Sequence, residues 1–145
     1  MRGNAELKQS HRWTRIFNNI PGVMGHGRVE NISDNFTPDY QYCIDGVNGW
    51  IEFKVYKLGA RRRVGKIKWS EGQRDWMRER AGCPAVFLIV EIGDYDFVFD
   101  IESMFTFEGN SYEYLVRNHS LKIRHDQYPS KKDLEKLRNK LKGVR

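Results

Sequence analysis

The stretch TPDYQYCIDGVNGWIEFK, residues 37–54, decides how this chain folds. Its two halves read as neighbouring β-strands around a tight turn at Asp45-Gly46-Val47-Asn48-Gly49. Side chains alternate faces along a strand, so Glu52 and Lys54 share one face, roughly 6.6 Å apart at about 3.3 Å rise per residue. Ile51, Phe53 and Val55 take the opposite face. Asp39 opens the first half, so each half brings a carboxylate towards one shared site. A carboxylate pair with a lysine beside it suits a hard divalent cation together with a water-activating or charge-neutralising group. Mg²⁺ takes oxygen ligands, usually one or two carboxylates, with waters and substrate phosphates making up the rest.

Working outward, Pro38-Asp39, a gap of twelve residues and then Glu52-Phe53-Lys54 resemble the PD-(D/E)XK nuclease signature. Arg28-Val29-Glu30-Asn31 before it, and Gly46-Val47-Asn48-Gly49-Trp50-Ile51-Glu52 within it, resemble the small phage-encoded branch of that superfamily, the VRR-NUC-like and Holliday-junction-resolvase-like endonucleases. The resemblance covers residues 12–99, the extent of a single-domain core. It implies an α/β protein with a restriction-endonuclease-like mixed β-sheet flanked by helices. It also implies Mg²⁺, with Mn²⁺ as a substitute, held by Asp39 and Glu52 with Glu30 assisting. Lys54 would orient the attacking water, help to deprotonate it, or neutralise developing charge. Gln73 would lie on the helix after the Glu-x-Lys strand, near the metal-bound water, a role that competes with plain helix capping. Branched DNA and a two-fold homodimer follow from the same resemblance.

Composition predicts a folded chain whose basic charge suits a polyanionic partner, nucleic acid or an acidic membrane surface. At 145 residues, 39% hydrophobic and 13% aromatic, it can bury a core as one domain, here expected over 1–145 with the nuclease core at about 12–101 and an extension at 102–145. A net charge of +6 favours polyanionic partners. No run of about 18 apolar residues occurs and the first residues are polar, which predicts neither a membrane span nor a secretory signal, and hence a cytoplasmic location. Cys43 and Cys83 are too few for a structural zinc site.

The remaining segments read in order. Residues 4–19 are helical, with Leu7, Trp13, Ile16, Phe17 and Ile20 on one stripe, Lys8, Arg12 and Arg15 on the surface, and Pro21-Gly22 as the stop. Glu6, His11 and Arg15 are read as solvated charges, with phosphate contact as the alternative. Residues 22–34 lack strong periodicity, and His26 reads as a loop histidine. Residues 57–69, KLGARRRVGKIKW, carry six cations, Lys57, Arg61, Arg62, Arg63, Lys66 and Lys68, and no acid. Such a block repels itself unless an anion covers it, so these six are the expected DNA-binding residues. Ser70-Glu71-Gly72-Gln73 fits a capping box with Ser70 at the N-cap, predicting a helix to about Ala81. Residues 85–92, AVFLIVEI, form a strand covered on both faces, and residues 95–101 its antiparallel partner, with Glu91 and Asp94 expected at the surface. Residues 103–124 are ambiguous, and His119 and His125 belong to no motif. Residues 130–141 are a basic amphipathic helix, capped by Ser130 with Asp133 at N3, whose Leu134, Leu137 and Leu141 predict docking on the body.

Two classes of function compete. One is a Mg²⁺-dependent endonuclease acting on branched DNA, or a nicking, restriction-like or repair enzyme of the same kind. The other is a non-catalytic basic nucleic-acid-binding protein in which Asp39, Glu52 and Lys54 form only a structural ion pair.

Overall fold

The structure is a computed structural model, which describes residues 4–29, 39–56, 72–80, 85–100 and 121–143. In chain order these form helix α1 (Asn4–Phe17), strands β1 (Val23–Arg28), β2 (Tyr40–Ile44) and β3 (Val47–Tyr56), helix α2 (Gln73–Glu79), strands β4 (Val86–Ile92), β5 (Tyr95–Asp100) and β6 (Leu121–Arg124), and helix α3 (Lys131–Leu141). The strands make one six-stranded mixed sheet in the order β1-β2-β3-β4-β5-β6. All neighbours are antiparallel except β3 and β4, which run parallel. A parallel pair needs a long crossover, and α2 lies in it.

The hairpin that decides the fold is tighter than its sequence suggests. The turn is only Asp45-Gly46, with φ of 48° and 83° and Ile44 paired with Val47. Positive φ at both central residues matches the right-handed twist of the flanking strands, which is why Asp-Gly is favoured there. Val47, Asn48 and Gly49 therefore belong to β3. Gly49 has a separate reason to be glycine: the Tyr42 ring lies across it, and a β-carbon there would come within 2.1 Å of that ring.

Alternation assigns the two faces of the sheet. Tyr40, Tyr42, Ile44, Ile51, Phe53, Phe87, Ile89, Val98 and Ile123 pack in one core with Trp13, Ile16, Phe17 and Ile20 from α1 and Leu134, Leu137 and Leu141 from α3. The leucine stripe docks as expected, and the capping box of Ser130 and Asp133 is present. Tyr42 anchors the last turn of α3 by donating its hydroxyl to the Leu141 carbonyl at 2.6 Å, and burial pushes its phenol pKa up. Asp45 accepts from Lys142 at 3.0 Å and from Arg138. The Lys142 hydrogen bond is the larger influence holding its carboxyl below the usual range. On the opposite face, Trp76 of α2 packs edge-on against Trp50, ring centroids 5.9 Å apart at 71°. The result is a sheet between helices, an α/β architecture.

Three expectations need correction. Residues 23–28 are a strand: β1 pairs with β2 despite its glycines, and a register irregularity between Val23 and Gly25 blurs its alternation. His26 is thus a strand residue, stacked on Phe17 at 5.5 Å. Helix α2 starts at Gln73, and the Trp76 amide bonds the Gly72 carbonyl, so Gly72 takes the N-cap place expected of Ser70. Part of the ambiguous segment is β6, a short edge strand whose single buried residue, Ile123, gives little periodic signal.

Candidate functional site

Asp39, Glu52 and Lys54 are positioned by the β2–β3 ladder. Tyr40 pairs with Ile51, so one step further along the ladder Asp39 lies across from Glu52, Cα atoms about 4.5–5.5 Å apart in antiparallel pairs. The Asp39 carboxylate accepts a hydrogen bond from the Phe53 amide at 3.2 Å, taking up a backbone donor just before β2 begins. Glu52 follows Ile51 and precedes Phe53, both in the α1-facing core, so it points to the α2 face. Lys54 shares that face, its Nζ 3.6 Å from Glu52 Oε1. The glutamate is 2% exposed. Burying a carboxylate in a sheet costs several kcal/mol, which an ion pair offsets only in part. A fold selected for stability alone would place an apolar residue there.

The other expected site residues divide simply. Glu30 and the cations Lys57, Arg61, Arg62, Arg63, Lys66 and Lys68 lie outside the described residues. Gln73 is the first residue of α2, and its side chain is likewise outside the description.

Behind the strand, on the α1 face, Gln9 is fully buried and its side-chain amide donates to the carbonyls of Lys54 (3.2 Å) and Ile89 (3.3 Å). It ties the Glu-x-Lys strand to β4 and to α1. Nothing in the sequence marks Gln9, because a polar residue beside a helical apolar stripe ordinarily lies in solvent.

A second constellation was not expected at all. Glu91 is the last residue but one of β4, Asp96 is the second residue of β5 and pairs with it, and His125 follows β6. Their ligand atoms lie within 4.8 Å of one another, the kind of group that holds a metal ion. The centre is taken by a side chain: Arg12 Nη2 is 2.5 Å from Glu91 Oε1, 3.0 Å from Asp96 Oδ2 and 3.1 Å from His125 Nε2. Trp13 Nε1 donates to Asp96 at 2.9 Å. Arg12 is therefore half-buried rather than on the surface, Glu91 is a structural partner rather than a surface group, and His125, which belongs to no sequence motif, joins them. The guanidinium supplies the positive charge a cation would otherwise bring. Nothing local in the sequence marks the cluster: alternation puts Asp96 and Asp100 on the polar side of an amphipathic strand, the side that ordinarily faces solvent.

Comparison with known proteins adds no relative: no protein-family model matches the chain, and no curated protein matches it. Among the described residues, no helix is long and apolar enough to cross a membrane.

Proposed function

We propose that this protein is a metal-dependent endonuclease, with Asp39, Glu52 and Lys54 as its reacting centre. The observation that carries the reading is the Asp39 carboxylate held at 3.2 Å by the amide of Phe53, the residue between a buried Glu52 and the Lys54 that pairs with it on one face of β3. The donor set fits the ion: two carboxylates give hard oxygen ligands, and Mg²⁺ takes one or two of these with waters and phosphates. When bound, it would supply Lewis-acid charge and an activated water. Asp39 and Glu52 would hold it, with Glu30 assisting. Asp39 is fixed in place by the Phe53 amide, and Glu52 by its burial and by Lys54. The lysine ammonium offers N–H donors to the phosphodiester oxygens, where negative charge grows as the attacking oxygen approaches phosphorus. Lys54 also lowers the repulsion that a DNA phosphate would meet from two carboxylates.

The sheet is compatible with a restriction-endonuclease-like core. An antiparallel β1-β2-β3 meander is followed by a helix-containing crossover to a parallel β4, with the Glu-x-Lys motif in the C-terminal half of β3. Ligands of open α/β sheets gather at the carboxyl ends of parallel strands. The +6 net charge and the six-cation segment support DNA as substrate. Branched DNA cut by a homodimer in the host cytoplasm is the finer reading, with nicking, restriction-like and repair roles beside it. The Glu52–Lys54 ion pair favours one competitor, a non-catalytic nucleic-acid-binding protein in which the pair is only structural.

A cleavage assay over duplex, nicked, flap and four-way-junction DNA, with Mg²⁺ and then with EDTA, separates the two. Cutting that requires metal and falls by roughly 10²–10³-fold in Lys54→Ala supports the nuclease, the size expected for a lost donor to developing charge. Salt-sensitive binding without cutting on any substrate refutes it.

A further inference from the structure

The four residues Lys8, His11, Arg12 and Arg15 recur at spacings of three and four, so they form one stripe along α1 beside its buried face. Arg12 turns inward to neutralise Glu91 and Asp96. Lys8, His11 and Arg15 stay exposed and line a cavity of about 460 Å³ between α1 and the segment after β6, with Arg124 on the far wall. Asp96 in that wall is fully buried and paired with Arg12, and Arg124 is paired at 2.6 Å with Asp126, so the groove's excess positive charge comes from Lys8 and Arg15. Among the described residues, no carboxylate pairs with Lys8 or Arg15.

At the mouth stands Tyr128, 58% exposed, one of two large apolar side chains so exposed among the described residues. It also lines two adjoining hollows of about 580 and 250 Å³, the first bordered by Lys131, Arg138 and Glu135 and the second by Lys122, Arg124 and Asp133. The ring stands largely in solvent where three hollows of mixed charge meet. It offers a free π-face to a flat ligand whose backbone the cations can hold.

We infer that this groove binds single-stranded nucleic acid, with an unpaired base stacked on Tyr128 and neighbouring phosphates held by Lys8 and Arg15. Duplex bases are stacked on one another and offer no free face, so an unpaired strand is the form that fits. The groove lies on the α1 side of the sheet, whereas Glu52 and Lys54 face α2, so it is a separate surface. The inference rests on the nuclease reading only for the class of ligand, nucleic acid, and does not need cleavage.

The test is fluorescence anisotropy in EDTA with labelled twelve-nucleotide oligo(dT) and oligo(U), and a duplex of equal length. Binding of either single strand, preferred over the duplex, is expected. Tyr128→Ala should weaken it roughly 5- to 100-fold, the range for one lost base–aromatic stack, while Tyr128→Phe keeps the ring and binds as wild type. Lys8→Ala with Arg15→Ala should lower the slope of log affinity against log salt by about 1.4, near 0.7 for each phosphate contact on a single strand. Preference for duplex, or unchanged binding in Tyr128→Ala, overturns the assignment. If Tyr128→Ala loses binding but no protein cleaves with Mg²⁺, the groove stands and the nuclease reading falls; the reverse pattern does the opposite.

Discussion

Replacing Arg12 by alanine should convert a structural ion cluster into a metal site. In the native protein the guanidinium touches Glu91, Asp96 and His125 together, with side-chain exposures of 27% for Arg12, 19% for Glu91 and 0% for Asp96. Removing one member of a buried ion pair costs about 3–5 kcal/mol, because the opposite charge is left uncompensated. Here the arginine is partly solvated and Trp13 still donates to Asp96, so the loss should be about 2–4 kcal/mol. For a chain of this length that lowers Tm by roughly 6–15 °C. The vacated space is bounded by two carboxylates and an imidazole whose ligand atoms lie within 4.8 Å of one another. Zn²⁺ at about a hundred times its Kd should therefore restore about 2.7 kcal/mol to Arg12→Ala. It should do nothing comparable for the wild type, whose centre is filled, and adding His125→Ala should abolish the rescue. Thermal melts with and without Zn²⁺ measure all of this. A variant melting within about 3 °C of wild type, or equal Zn²⁺ effects on both, would refute the reasoning.

Other consequences are independent of that cluster. Gly49→Ala drives a β-carbon into the Tyr42 ring and should destabilise the protein by about 1–3 kcal/mol in urea unfolding, with relief when Tyr42→Ala is added. Leu137→Ala removes a fully buried side chain between α3 and the sheet and should cost about 2–5 kcal/mol by the same measurement. Burial holds the His26 imidazole below its ordinary pKa of 6.5. The unfolded chain takes up that proton first as pH falls, so stability is full above about 6.5 and declines below it. In His26→Phe, urea unfolding between about pH 7.5 and 5 should show a shallower slope.

The sequence exposed some of this architecture better than other parts, for physical reasons. Long periodic elements were legible: α1 and α3 through their 3.6-residue apolar stripes, β4 through an unbroken apolar run, and the β2–β3 hairpin through Asp45-Gly46 flanked by alternating residues. Strand β1 was not, because His26 buries itself by stacking on Phe17 and bonding Tyr40 and Asn18, satisfactions that only the fold supplies. That Glu52 and Lys54 share a face followed from strand alternation alone. The position of Asp39 relative to them needed the register of the two-residue turn, which a turn over Asp45–Gly49 does not give. Arg12, Glu91, Asp96 and His125 meet across 113 residues of chain, and no local pattern encodes such a meeting. Gln9, buried against Lys54 and Ile89, is hidden for the same reason.

The claim on which the functional account depends is that Asp39 and Glu52 together hold a divalent cation. Titration of Mn²⁺ followed by electron paramagnetic resonance, which reads the free ion directly, tests it in wild type, Asp39→Asn and Glu52→Gln. The account predicts at least one bound Mn²⁺ in wild type, displaced by excess Mg²⁺ and lost or weakened at least roughly tenfold in each variant, a change of about 1.4 kcal/mol. Equal Mn²⁺ binding by all three proteins, or none by wild type, would contradict it.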